Sequence, residues 1–289
     1  MKLTVKIGFL VLSASVAGIA TGSLRADSDQ PSSSANGSLS APPSYADLAD
    51  LADQTPLVIR AEPRKTVALP AASSAPPRAG WGRSYVEART QALIFGNAAI
   101  GRDLRYLVDL PLDPRGKPPS LKGKSVVIFA RATAANDGEL QLVAPDAQLA
   151  WNPALEAQLR GVLAQINAAD APPRVTGVRE ASFSAGNLAG TSETQLLFST
   201  AGDAPVAATV RRSAGAAPQW GVSFGDVIGA LGQQPAVDSM AWYRLACFLP
   251  PTIPAEATVA GESEIRSGAA ADYAYLIAQL GPCPRTRPR

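Results

Sequence analysis

Residues 84–95 read SYVEARTQALIF and residues 104–110 read LRYLVDL. In the first run Val86, Ala88, Thr90, Ala92 and Ile94 alternate with Glu87, Arg89 and Gln91. In the second, Leu104, Tyr106, Val108 and Leu110 alternate with Arg105 and Asp109. A period of two places each apolar set on one side of a pleated chain, so both runs predict half-buried strands. Working outward, residues 57–61, 125–130 and 140–143 are short apolar runs of strand length, and Asn136-Asp137-Gly138 is a hairpin-turn signal before the last of them. The period then lengthens. Asn152 and Pro153 are an N-cap and a first helical residue, followed by Leu155, Leu159, Val162, Leu163 and Ile166 on one helical face. Five strands and one packed helix predict a small barrel or curled sheet, with the Pro- and Gly-rich loops 70–83 and 111–124 projecting from it.

Ala171-Pro172-Pro173 reads as a boundary. Beyond it the runs 175–183, 194–199, 206–212 and 220–224 predict an antiparallel meander. Two helices follow. Asp238 is the expected cap of the first, and residues 269–280 form the second, which Gly281-Pro282 ends. Upstream, Ser44 caps a short helix with Tyr45, Leu48, Leu51 and Ala52 on one side, where Asp47, Asp50 and Asp53 suit the helix start without any metal. The expected fold class is α+β and β-rich: residues 44–170 as a barrel-like domain with its C-terminal helix, and residues 171–289 as a β-meander plus two helices.

The first 26 residues carry Lys2 and Lys6, then an uncharged apolar core, then small residues ending at Ala26. This is the pattern of a cleaved signal peptide, and the core is shorter than the roughly 20 residues of a membrane span. Residues 27–43, DSDQPSSSANGSLSAPP, form a Ser- and Pro-rich tether with almost nothing to bury, in which Asn36 begins a weak glycosylation sequon. The expected location is periplasmic or secreted, with no transmembrane segment in the mature form. Loss of the leader removes Lys2, Lys6 and Arg25, leaving 23 bases against 24 acids. A near-neutral chain lacks the electrostatic footprint of a nucleic-acid binder. Cys247 and Cys283 are the only cysteines, and an even number in an exported chain favours a disulfide over two separate buried thiols.

The chain has no histidine. That excludes His-dependent nucleophilic triads, an imidazole base and His-ligated metal sites. Phosphate-loop and dinucleotide fingerprints are absent, there is no Ser-x-x-Lys, and residues 171–289 contain no lysine. Hydrolysis would have to rest on paired carboxylates, for which Glu180, Glu193, Asp203 and Asp272 are among the acids of the C-terminal half. No cofactor or metal is expected.

The strings NLAGTSETQLLFST (187–200), PQWGVSFGDVI (218–228), WYRLACFLP (242–250) and LGPCPRTR (280–287) resemble a group of exported alphaproteobacterial proteins of unassigned function. The resemblance extends over most of the mature chain and implies export and a shared fold, with no catalytic motif to carry over. In strand count the first half also resembles oligonucleotide/oligosaccharide-binding-like barrels, a likeness of fold that transfers no function.

Two features are candidates for contact with a partner. The run RGKPPSLKGK (115–124) holds Arg115, Lys117, Lys122 and Lys124, which either meet an anionic polymer or are solvated in a loop. Trp81, between Gly80 and Gly82, is the best placed of four tryptophans for exposure, since Trp220 and Trp242 lie at core spacing. The tail residues Arg285, Arg287 and Arg289 read as a frayed basic end. The expected function is a non-catalytic binding or structural protein of the cell envelope, with an envelope protein or glycan as partner. The alternatives are a carboxylate-dependent hydrolase acting on glycan and a small-ligand carrier.

Overall fold

The computed structural model describes residues 42–70, 76–133, 138–225, 231–255, 257–259 and 263–287. The expected signal peptide and the tether up to residue 41, Asn36 included, lie outside the described residues, as do Asn136 and Asp137. Helix α1 (Tyr45–Ala52) leads into strand β1 (Leu57–Ala68), then β2 (Trp81–Phe95), β3 (Asp103–Pro111), β4 (Val126–Ala132) and β5 (Glu139–Leu142). These five close into a barrel in the order β1-β2-β3-β5-β4, with β4 returning to β1. All neighbours are antiparallel except β3 and β5, which run parallel. The short strand β6 (Gln148–Ala150) extends the sheet from the edge of β4.

Strands β1 and β4 decide how the barrel is mounted. Leu57, Ile59 and Ala61 of β1 and Val126, Ile128 and Ala130 of β4 fill the barrel interior with Val86, Leu104, Tyr106 and Val108. The intervening residues Val58, Val127 and Phe129 are equally buried, on the other side, in a second core. Strands covered on both faces lose the polar alternation of β2 and β3, which is why LVI (57–59) and VVIFA (126–130) read as continuous apolar runs.

That second core extends through α1, helix α2 (Pro153–Ile166) and the rest of the chain. Strands β7 (Val175–Ala185), β8 (Ser192–Thr200), β9 (Val206–Arg212) and β10 (Gln219–Ser223) form the predicted meander. A two-residue strand, β11 (Thr258–Val259), adds in parallel to the free edge of β7. Helices α3 (Met240–Ala246) and α4 (Ser263–Leu280) complete the order. Val178, Phe198, Val210 and Trp220 from the meander share one cluster with Leu48, Phe129, Leu159, Trp242 and Leu276. The described residues therefore form one compact unit, and the Pro172-Pro173 break joins two sheets that share a core.

Local chemistry corrects one boundary. Ser239, not Asp238, caps α3, its hydroxyl accepting the Trp242 N–H at 3.2 Å. Asp238 instead takes the left-handed turn before the cap, at φ 58°. Cys247 at the end of α3 is joined to Cys283 beyond α4, with Cα atoms 5.2 Å apart.

After β10 the chain doubles back so closely that Val222 and Gln233 exchange both backbone hydrogen bonds, at 2.9 and 3.1 Å. Gly221 and Gly232 make this approach, because a Cβ on Gly221 would sit 2.1 Å from the Leu231 carbonyl oxygen. Gly221→Ala is expected to lower stability by about 1–3 kcal/mol, the usual cost of forcing extra volume into packed backbone. Urea titration reads it as a lower midpoint at constant slope, and an unchanged midpoint would show that the returning segment moves aside.

Candidate functional site

Ser44 opens α1 with a capping box: its hydroxyl accepts the Asp47 N–H at 3.1 Å while Asp47 accepts the Ser44 N–H at 2.9 Å. Asp47, Asp50 and Asp53, three residues apart, then lie along one flank of a largely buried helix, Asp47 itself buried. Each carboxylate receives cations or donors from distant sequence. Asp47 accepts the Thr286 hydroxyl at 2.7 Å and the backbone N–H of Thr286 and Arg287 at 2.9 and 3.2 Å. Asp50 takes Arg285 on both oxygens, at 2.6 and 3.2 Å, and the Tyr243 hydroxyl at 2.7 Å. Asp53 is held on both oxygens by Arg244, at 2.7 and 2.9 Å, and also accepts from Arg174. The C-terminal tail is thus strapped along α1 through Arg287, correcting the reading of residues 285–287 as frayed; Arg289 lies outside the described residues.

The strap reaches the barrel. Arg287 donates to Asp146 in the β5–β6 turn at 2.7 Å, and Arg78, ahead of β2, pairs with the other oxygen of Asp146 at 3.5 Å. Cross-strand from there, Arg83 of β2 grips Asp109 of β3 with two hydrogen bonds of 2.7 and 3.0 Å. These groups line a cleft of about 570 Å³ whose walls are completed by Leu51, Pro76, Pro77, Val143, Pro145 and Phe248.

The cleft opens onto a second groove of about 750 Å³ over the outer face of β2, β3 and β5, sharing Arg83, Asp109 and residues 143–145 with it. On that face the strand register forms rows. Val67, Tyr85 and Leu107 are cross-strand neighbours, and Val67 and Leu107 are 42% and 46% exposed. Beside this apolar row, Lys65, Glu87, Arg105 and Glu139 follow one another with alternating charge, and Glu62, Arg89 and Asp103 form the next row. Opposite charges facing each other across strands stabilise the sheet and leave its face close to neutral.

Burial alone would raise the Asp47 and Asp53 carboxyls. Hydrogen bonds from Thr286, Ser44 and Arg287 at Asp47, and the guanidinium groups of Arg244 and Arg174 at Asp53, outweigh it and hold both below the usual carboxylate range. A carboxyl whose folded pKa lies below its unfolded value, here 3.8, stabilises the fold above that value and loses this contribution as pH falls through the folded pKa. The urea midpoint is therefore expected to stay level from about pH 7 to 5 and to fall below about pH 4, with a shallower acid limb in Asp47→Asn. An acid limb unchanged in that variant would place the lability elsewhere.

The structure separates the residues that sequence singled out. Arg115, Lys117, Lys122 and Lys124 are exposed in the β3–β4 loop, where Asp113 accepts the backbone N–H of Arg115 and Lys117, and none of the four lines the cleft. Trp81 begins β2 and is partly buried, with the Arg78 guanidinium stacked 3.6 Å above its ring. Trp220 and Trp242 are core residues, as their spacing predicts. Of the C-terminal acids, Asp272 is buried and accepts from Thr194 and Arg212, while Glu193 is bound by Arg211. Among the described residues no cluster of acids or cysteines has the arrangement of a metal site. The residues that sequence reasoning missed are Arg78, Arg83, Asp109 and Asp146, while Arg287 was singled out only as part of a frayed end; the three-residue spacing of the α1 aspartates and the paired tail arginines were the only hints.

Comparison with protein-family models gives no match, and comparison with curated proteins gives none either.

Proposed function

We propose that this chain is an exported, non-catalytic binding protein of the cell envelope that engages a protein partner through the outer face of β2, β3 and β5. The observation that carries the reading is the exposed row Val67–Tyr85–Leu107, set between rows of paired opposite charge and beside a continuous groove. An apolar strip with a charged, nearly neutral rim suits a protein surface, where a central aromatic supplies contact area and the charges set register. A nucleic-acid face would show an unbalanced basic stripe instead. The carboxylates lining the cleft support a non-catalytic role: all four are engaged by arginines. A general acid needs a raised pKa near neutrality, whereas Asp53 is held low. Export draws support from the disulfide, which persists in oxidising compartments. Among the described residues no helix is long and apolar enough to cross a membrane.

A photo-crosslinking side chain placed at position 107, in cells producing the full chain, tests the reading. One discrete adduct from position 107 is expected, lost when Tyr85→Ala is added and absent from position 188, a hairpin tip where Leu188 is 72% exposed. Identical products from both positions, or turnover of envelope glycan by the purified protein, would overturn it.

A further inference from the structure

We propose that the end of the cleft formed by Arg78, Asp146 and Arg287 is a subsite for an oxyanion, a carboxylate or phosphate carried on an apolar body. This rests on the reading of the chain as a binding protein and adds the chemistry of what the groove admits.

The cleft's acceptors are already taken. Both oxygens of Asp109 face Arg83, both of Asp53 face Arg244, and both of Asp50 face Arg285. Asp53 also receives Arg174, and Asp146 is likewise shared between two guanidinium groups. It receives one hydrogen bond from Arg287, and its 3.5 Å contact with Arg78 is an ion pair too long for a good hydrogen bond.

Donors, by contrast, are left over. Nε and Nη2 of Arg78 and Nε of Arg287 are buried with no hydrogen-bond partner. A buried donor without an acceptor forfeits its solvation, and three clustered at one carboxylate call for a group that supplies acceptors. Charge points the same way. The cleft lining balances four arginines against four aspartates, but at this end two arginines, 78 and 287, meet the single carboxylate of Asp146.

Geometry and wall chemistry refine the class. Arg78 sits over Trp81, its Cζ 3.6 Å from the ring centroid, so the indole holds the guanidinium at this end of the cleft while leaving it free to turn. Pro76, Pro77, Val143, Pro145 and Phe248 line the adjoining wall with rigid apolar surface. An ammonium or neutral ligand finds no open carboxylate here. A planar carboxylate or a phosphate, with an apolar body against the prolines, finds a ring-supported guanidinium and two arginines on one aspartate. The buried N–H groups become available through a small rotation of Arg78 away from Asp146, to which no hydrogen bond holds it.

The test titrates the full chain with benzoate, phenyl phosphate, inorganic phosphate, benzamide and benzylammonium, following arginine Nε–Hε resonances by NMR. Saturable shifts of the Arg78 and Arg287 resonances with benzoate or phenyl phosphate are expected, and whichever of the two binds tighter separates the carboxylate source from the phosphate source. Benzamide and benzylammonium should bind at least tenfold more weakly, and inorganic phosphate more weakly than phenyl phosphate. Arg78→Met should weaken anion binding at least tenfold with an unchanged circular dichroism spectrum, and Arg78→Lys should recover part of it. Equal binding of benzamide and benzoate, anion binding that survives in folded Arg78→Met, or no saturable shift with any anion would overturn the proposal. Anion binding without the position-107 adduct would overturn only the protein-partner reading, and the adduct without anion binding only this one.

Discussion

Replacing Asp53 by alanine is expected to destabilise the folded chain by about 3–5 kcal/mol, the range seen when one partner of a buried ion pair is removed. The size follows from what remains. Arg244 has a side chain only 7% exposed, and its two terminal nitrogens both donate to Asp53. Without that carboxylate a buried guanidinium keeps, among the described residues, its 3.3 Å contact with the Pro172 carbonyl and its place near the Tyr243 ring. Arg174, which also donates to Asp53, is released at the same time. Because Arg244 ties α1 to the Pro172-Pro173 connection, cleavage between residues 169 and 174 under limited proteolysis should rise in the variant. Adding Arg244→Met should restore part of the stability, since an apolar side chain of similar length removes the stranded charge. A urea-derived loss under about 1 kcal/mol would mean that water reaches Arg244 and the pair behaves as a surface bridge.

Cys283→Ser is expected to cost about 3.5–4 kcal/mol, most of it through the unfolded chain. Cys247 and Cys283 are 36 residues apart, so the bridge forbids the unfolded state many conformations that an open chain explores. The loss should come with a local signature. Cys283 lies two residues before Arg285, so the bridge anchors the strap that carries Arg285, Thr286 and Arg287 to Asp50, Asp47 and Asp146. Hydrogen exchange should therefore speed up first at the Thr286 and Arg287 amides, while the barrel amides of β2 and β3 keep their protection. Uniform loss of protection throughout would show that the bridge stabilises the unit as a whole with no particular hold on the tail.

Much of the architecture was legible because it is written locally. The alternation in 84–95 and 104–110 marked β2 and β3, since Val86, Leu104, Tyr106 and Val108 must face inward once the backbone is pleated. Ser44, Asn152 and Pro153 marked the starts of α1 and α2, because helix caps satisfy donors within three residues of themselves. The α+β class, the meander and the Cys247–Cys283 bridge followed from signals of this kind. The three-residue β6 and the two-residue β11 did not, for pairing at a sheet edge leaves little trace in so few residues.

The candidate site belongs to the other category. Asp50 and Arg285 are 235 residues apart, Asp53 and Arg244 191, and Asp146 and Arg287 141. No periodicity links them, because an ion pair depends on distance in space and leaves both residue types looking like ordinary solvated charges. The basic run 115–124 was conspicuous for the opposite reason: its charges are neighbours in sequence, which is how loops keep them exposed. Composition and local pattern by themselves determined the longer secondary elements, the absence of histidine chemistry and the capacity for one disulfide. Only barrel closure, the shared core and the return of the tail along α1 decided which aspartates meet which arginines, since those contacts exist only after the chain has folded.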